Sequence, residues 1–227
     1  MTWLAHRLRA RKLRGGTYER ADSLRAVIAR LRKAPAPSVY STLWTDAIYG
    51  WGNEKWTAEE RYLAEVVRSA ERTKGPIIEC GSGLTTLLMG AVSTRTGVRV
   101  DALEHTPEWR DRVNASMREH GIEGPTVHSA PLRNYGEYDW YDTQLAALPS
   151  DVRLVVCDGP PSSTRGGRSG MIPVLKSKLE PGCVILLDDV IRDAESQLVR
   201  DWVRDYGATA KIHEADRKFA RLRLPQG

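Results

Sequence analysis

Five carboxylates, Glu79, Glu104, Asp158, Asp188 and Asp189, stand at or beside the ends of short apolar runs. Acids in such places can accept hydrogen bonds from a ligand's hydroxyls, hold a cation or take up a proton. Glu79 introduces a glycine turn: the run ending at Cys80 continues into Gly81-Ser82-Gly83-Leu84-Thr85-Thr86 and then an amphipathic stretch. Glycines there let the backbone bend sharply and approach a ligand closely. A third glycine would complete the dinucleotide fingerprint, but Thr86 holds its position, which weakens a pyrophosphate-binding reading. Glu104 ends the next apolar run, about 20 residues on, where an acid can accept from ribose hydroxyls. A plain tight strand–helix turn is the alternative for the glycines.

The other three acids form a second group. Asp158-Gly159-Pro160-Pro161 follows the run 154–157, and Asp188-Asp189 ends the run after it. All three should converge at one sheet edge. Unneutralised carboxylates repel, so a cation or a substrate is a natural partner. An all-oxygen set suits Mg²⁺ or another hard divalent ion better than zinc. Turn capping by Asp158 and helix entry at Asp188-Asp189 are the alternatives.

Between these acids lies 162–170, a serine-, glycine- and arginine-rich loop. It reads either as a flap over an anionic or hydroxylated substrate or as a solvated connection. Tyr135, Tyr138, Trp140 and Tyr141 read either as pocket lining or as core. Cys80, Cys157 and Cys183 are odd in number, lie in or beside apolar runs and lack CxxC spacing. They read as small buried hydrophobes rather than disulfide partners or zinc ligands.

The elements that must position these residues follow from periodicity. Helices are expected over about 18–33 and 57–72, the second opened by a capping box of Thr57 and Glu60. Strand and helix then alternate. Strands are expected at 76–80, 98–103, 126–128, 152–157, 183–187, 208–213 and 219–224. Leu84, Leu87, Leu88, Ala91 and Val92 mark one face of a helix ending near Gly97. Thr106 and Pro107 open another that buries Trp109, Val113 and Met117. A last helix over 193–206 buries Leu198, Val199, Trp202 and Val203. Apolar strands alternating with helices imply an α/β, doubly wound, mostly parallel seven-stranded sheet. The final strand pair, joined by a short connection around Asp216, must be antiparallel.

The chain of 227 residues, 41% hydrophobic and 28% charged, suits one sizeable soluble core. No run approaches the roughly 18 apolar residues of a membrane span. Residues 1–56 read as a helical, basic and aromatic-rich extension, and 57–227 as the main domain. The net charge of +5 owes much to Arg7, Arg9, Arg11, Lys12 and Arg14. That arm suits solvent or a peripheral membrane surface more than specific nucleic-acid recognition. Without a secretory signal the expected location is cytoplasmic. Oligomeric state is left open.

Ile77-Ile78-Glu79-Cys80-Gly81-Ser82-Gly83 resembles the first motif of the class I S-adenosylmethionine-dependent methyltransferases. Leu103-Glu104-His105 is similar to their second, and the resemblance runs from about residue 56 to the C-terminus. It implies a Rossmann-like methyltransferase fold and S-adenosylmethionine as cofactor. By position, Glu79 would hold the methionine ammonium, directly or through water. Gly81, Ser82, Gly83 and Thr85 would cradle the cofactor, Glu104 would bind its ribose, and Asp158 would stand beside it. His105, Ser129 and Ala130 would border the adenine, although His105 also suits a packing role.

The second acidic group resembles that of the divalent-metal O-methyltransferases, such as the catechol and sugar families. On that resemblance Asp158, Asp188 and Asp189 would ligate Mg²⁺, with Asp158 and Asp188 the catalytic pair. The metal would bind neighbouring substrate oxygens and lower the pKa of the one methylated. Pro161 stands where the catechol enzymes carry a lysine base, so Asp158 would be the base if no metal is present. The expected reaction is O-methylation of a hydroxylated small molecule or sugar. A nicotinamide-dependent oxidoreductase is the rival enzyme, disfavoured by the absent third glycine and the terminal antiparallel strands. A noncatalytic binding protein docking a partner through the basic arm is the other rival, and it would not require the acidic group.

Overall fold

A computed structural model describes residues 20–215 and 217–227. The basic arm, with the membrane-surface contact expected of it, the start of the first helix at Tyr18, and Asp216 lie outside the described residues. Two helices, α1 (Arg20–Lys33) and α2 (Thr42–Trp51), precede α3 (Glu60–Arg72). There follow β1 (Ile77–Cys80), α4 (Leu84–Thr96), β2 (Val100–Glu104), α5 (Pro107–Glu119) and β3 (Thr126–Ser129). A hairpin of β4 (Leu132–Asn134) and β5 (Asp139–Tyr141) leads to β6 (Val152–Cys157), α6 (Met171–Leu175) and β7 (Leu179–Leu187). The chain closes with α7 (Asp193–Tyr206), β8 (Thr209–His213) and β9 (Phe219–Arg223).

The seven-stranded sheet has the order β3-β2-β1-β6-β7-β9-β8. Its pairs are parallel from β3 to β7, while β9 runs antiparallel to both β7 and β8. The expected sheet, its strand count and its antiparallel end are therefore all present. The chain builds outward from β1 through β2 to β3, then crosses to the other side of β1 with β6. Strand order thus reverses between β1 and β6, and open α/β sheets bind ligands in the crevice at such a switch point. Register aligns Cys80 with Cys157, so the turns after these strands begin side by side.

Each face of the sheet carries its own core. On one, α1 to α5 bury residues such as Leu31, Trp44, Tyr62, Leu88 and Val113. On the other, the hairpin, α6 and α7 bury Trp140, Met171, Ile172 and Trp202. Helix α4 is buried throughout from Leu84 to Ser93, not on one face alone. α1 and α2 pack over its outer side, and a helix covered on two sides needs no polar face.

Two local expectations are corrected. Thr57 does not cap α3; its hydroxyl donates to the Asn53 carbonyl at 2.5 Å, and Glu59 takes the N-cap position. The Glu59 carboxylate accepts from the Arg217 amide at 3.0 Å, a partner 158 residues away. Val203, expected in the core, is 41% exposed, because the buried face of α7 runs through Glu195, Val199 and Trp202.

Candidate functional site

The turn after β1 and the turn after β6 are stitched together. The amides of Asp158 and Gly159 both donate to the Cys80 carbonyl, at 3.1 and 2.7 Å. Gly81 has φ +88°, and a Cβ there would stand 3.0 Å from both the Cα and N of Gly159. Only glycine suits that conformation and that approach. Gly83 is different: its φ of 170° is ordinary extended backbone, and a Cβ there would meet nothing within 4 Å. Space, not strain, surrounds it.

Glu104 closes this turn from the side. Its Oε2 accepts from the Ser82 amide at 3.1 Å and from the Ser82 hydroxyl at 2.9 Å. Its Oε1 accepts from the Thr106 amide at 3.0 Å and lies 3.2 Å from His105 Nδ1. Burial pushes its pKa up, but the bonds from His105, Thr106 and Ser82 outweigh it and hold the carboxyl below its ordinary value. Glu104 is therefore an anion at the cavity wall.

Glu79 is fully buried behind that wall. Thr85 Oγ1 bonds its Oε1, and Thr86 Oγ1 bonds its Oε2 at 2.5 Å. Thr86 also accepts from the Gly83 amide at 2.9 Å. The residue standing in place of a third glycine thus ties the acid to the turn. Burial raises the Glu79 pKa to about 8 despite these hydroxyls. Thr85, not Glu79, reaches the lining, in a recess of about 30 Å³ shared with Gly83 and Trp51.

The main cavity has a volume of about 580 Å³, within the usual range for a small-molecule site. Gly81, Ser82, Glu104, His105, Asp158 and Asp189 line it, as do Trp109 and Tyr141. Trp109, expected to be core, instead donates from Nε1 to the Ser82 carbonyl at 2.7 Å and packs edge-on to Trp51. Tyr141 is buried in the floor, and among the described residues none pairs with its hydroxyl. Of the remaining aromatics, Trp140 is core, and Tyr135 stacks on Tyr138.

Ser129 and Ala130 are not in the cavity wall. Ser129 is exposed, and Ala130 is buried with its amide donating to the Glu104 carbonyl at 2.8 Å. Their backbone supports Glu104 from the neighbouring strand.

Asp158, Asp188 and Asp189 do converge, with oxygens within 4.8 Å of one another. Their partner is Arg168, buried at 3% exposure, which no sequence pattern singles out. Its Nη2 bonds Asp158 Oδ1 at 3.2 Å, Asp189 Oδ2 at 3.1 Å and the Asp158 carbonyl. Its Nη1 donates to the Asp188 carbonyl at 2.6 Å. Arg192 adds a contact of 3.0 Å to Asp189 Oδ2. The loop 162–170 is thereby pinned to the strand ends, and its Arg165 pairs instead with Asp139 at 2.6 Å. Three acids needing a cation and an arginine-bearing loop between them were the available signal. Only folding chose between the two arginines.

Within this group burial raises the Asp158 pKa, with Arg168 opposing and Asp189 reinforcing. Burial likewise raises Asp188 well above its ordinary value, and among the described residues neither of its carboxylate oxygens has a hydrogen-bond partner. Asp158, about a quarter exposed, is a carboxylate the cavity can reach. A divalent ion fits poorly beside Arg168. The two carboxylates it would share, Asp158 and Asp189, are already bonded to that guanidinium at 3.2 and 3.1 Å, and neighbouring like charges repel.

A family profile described as "Methyltransferase domain" matches residues 78–190. No curated protein sequence matches the chain. Among solved structures, the SAH-bound methyltransferase PaMTH1 of Podospora anserina superposes with TM-score 0.61 at 15% identity. That match covers 88% of this chain and 94% of the other. An O-methyltransferase from Bacillus cereus in complex with SAH gives 0.58 at 13% identity, covering 88% and 97%. A putative O-methyltransferase from Klebsiella pneumoniae gives 0.53 at 17%, covering 98% and 97%. With the strand order, the glycine turn and the Glu104 clamp, these matches place the chain in the class I S-adenosylmethionine-dependent methyltransferase family.

Proposed function

We propose that this chain methylates a hydroxyl of a small molecule, using S-adenosylmethionine. The observation that carries the reading is the shared wall: Glu104, Ser82 and Asp158 line one cavity at the switch point of the sheet. Two structural neighbours bind SAH, one of them an O-methyltransferase, and this supports it.

When bound, S-adenosylmethionine supplies a sulfonium methyl, transferred in line as the carbon–sulfur electron pair leaves on sulfur. Glu104, ionised and facing the cavity, would accept from the ribose hydroxyls. The N-terminal turn of α4 would attract the cofactor's carboxylate through the positive end of the helix dipole. Asp158 orients the acceptor hydroxyl and takes its proton as the oxygen–methyl bond forms. A pKa raised by burial brings this carboxylate nearer to neutrality, where a general base works best. Lys55, Arg217 and Trp56 at the cavity rim suit an acceptor carrying a negative group and a flat face.

The test is methyl transfer from methyl-labelled S-adenosylmethionine to a panel of hydroxylated acids, phenols and sugars. Label in a methyl ether supports the reading. Transfer to nitrogen or carbon acceptors alone would redirect it.

A further inference from the structure

We propose that Arg168 is the resident counter-cation of the Asp158, Asp188 and Asp189 group, standing where a divalent ion would otherwise be held. The inference rests on the site read above but not on the identity of the acceptor.

Its guanidinium contacts all three residues: a carboxylate oxygen of Asp158, a carboxylate oxygen of Asp189, and the carbonyls of Asp158 and Asp188. A planar fork with five donors suits such a set, whereas an ammonium would reach it as a single point. The side chain is 2% exposed and belongs to the wall of the cavity. A mobile surface arginine does not bury itself so; burial without these partners would be strongly unfavourable.

Arg192, which also lines the cavity, engages the same Asp189 oxygen at 3.0 Å. Two of the three carboxylates are thus already paired with fixed positive charge. Hard cations need carboxylate oxygens at 2.0–2.6 Å and open coordination positions. Here Arg168 Nη2 already bonds a carboxylate oxygen of Asp158 at 3.2 Å and one of Asp189 at 3.1 Å. Among the described residues Arg168 Nε has no acceptor, which leaves the guanidinium a further donor. Arg168 is accordingly a positioning residue: it holds Asp158 in place and supplies fixed charge without ion exchange.

The experiment titrates Mn²⁺, followed by electron paramagnetic resonance, and Mg²⁺, followed by calorimetry, into the full chain. Wild type should bind neither stoichiometrically below about 1 mM, and EDTA should leave its Tm unchanged. Arg168→Met, which keeps the stem but removes the charge, should gain at least about tenfold in Mn²⁺ affinity. Adding Asp189→Asn should abolish that gain. Stoichiometric Mn²⁺ binding by wild type, lost in Asp189→Asn, would overturn the proposal. So would a folded Arg168→Met with no gain. If Arg168→Met does not fold, the wild-type titration decides alone. SAH calorimetry on the same samples reports separately whether the cofactor reading holds.

Discussion

Glu104 Oε2 accepts two hydrogen bonds from one residue, Ser82, taking both its amide and its hydroxyl. A carboxylate at the end of β2 therefore fixes the glycine turn that follows β1. The same anion faces the cavity, so turn geometry and ligand binding share one group. Glu104→Gln replaces one accepting oxygen with a donor and removes the charge. SAH affinity should fall at least about tenfold by calorimetry, with the far-UV spectrum retained. Unchanged affinity would separate Glu104 from the ligand. Because its pKa is lowered, the ionised state persists to acid pH. Its share of stability, present above the unfolded value, is lost as pH falls through the folded one.

The two glycines of the turn should respond in opposite ways. Gly81→Ala meets positive φ and a backbone contact of 3.0 Å, so Tm should drop by several degrees. Gly83→Ala meets neither, and its Tm should stay within about 2 °C of wild type. Its methyl group would enter the recess lined by Thr85 and Trp51, weakening SAH binding by about tenfold. Thermal melts and calorimetry on both variants check the contrast. Equal loss of stability in the two would contradict it.

Much of this was legible because it is local. Glycines at a strand end, an acid closing the next strand and apolar runs separated by amphipathic stretches are all short-range patterns. They define the sheet, the switch point and the positions of Glu79, Glu104, Asp158, Asp188 and Asp189. What stayed hidden depends on distant partners. Thr57 and Glu60 spell a capping box, yet Arg217 arrives from the far end of the chain to bond Glu59. Trp109 has core spacing on α5, but its indole nitrogen seeks the Ser82 carbonyl, 27 residues away. Spacing alone could not distinguish a core tryptophan from one that walls a cavity.

Glu79 makes stability depend on pH. Its pKa is about 8 in the folded chain against an ordinary 4.5, so the folded state keeps a proton that the unfolded state has released. Stability must then be greatest below the lower value and decline as pH rises towards the upper one. Melts from about pH 5 to about pH 9 should show Tm falling by about 5 °C or more. Glu79→Gln, permanently neutral, should flatten that slope. A slope that is identical in the variant would assign the dependence elsewhere.

Tyr141 presents a buried hydroxyl beside Gly81 and Gly159, with no partner among the described residues. Burial raises its pKa well above the ordinary value, so it remains a donor at neutral pH. Tyr141→Phe should leave Tm unchanged or slightly higher, since an unsatisfied buried group is removed. Cofactor affinity should fall by about three- to tenfold if the hydroxyl meets the ligand. Full affinity in a stable variant would show that it does not.

Calorimetric titration of the full chain with SAH, and in parallel with NAD, bears most directly on the whole account. One SAH per chain with micromolar or tighter affinity, and no heat with NAD, is the predicted result. NAD binding in preference to SAH, or no adenosyl ligand bound at all, would contradict it.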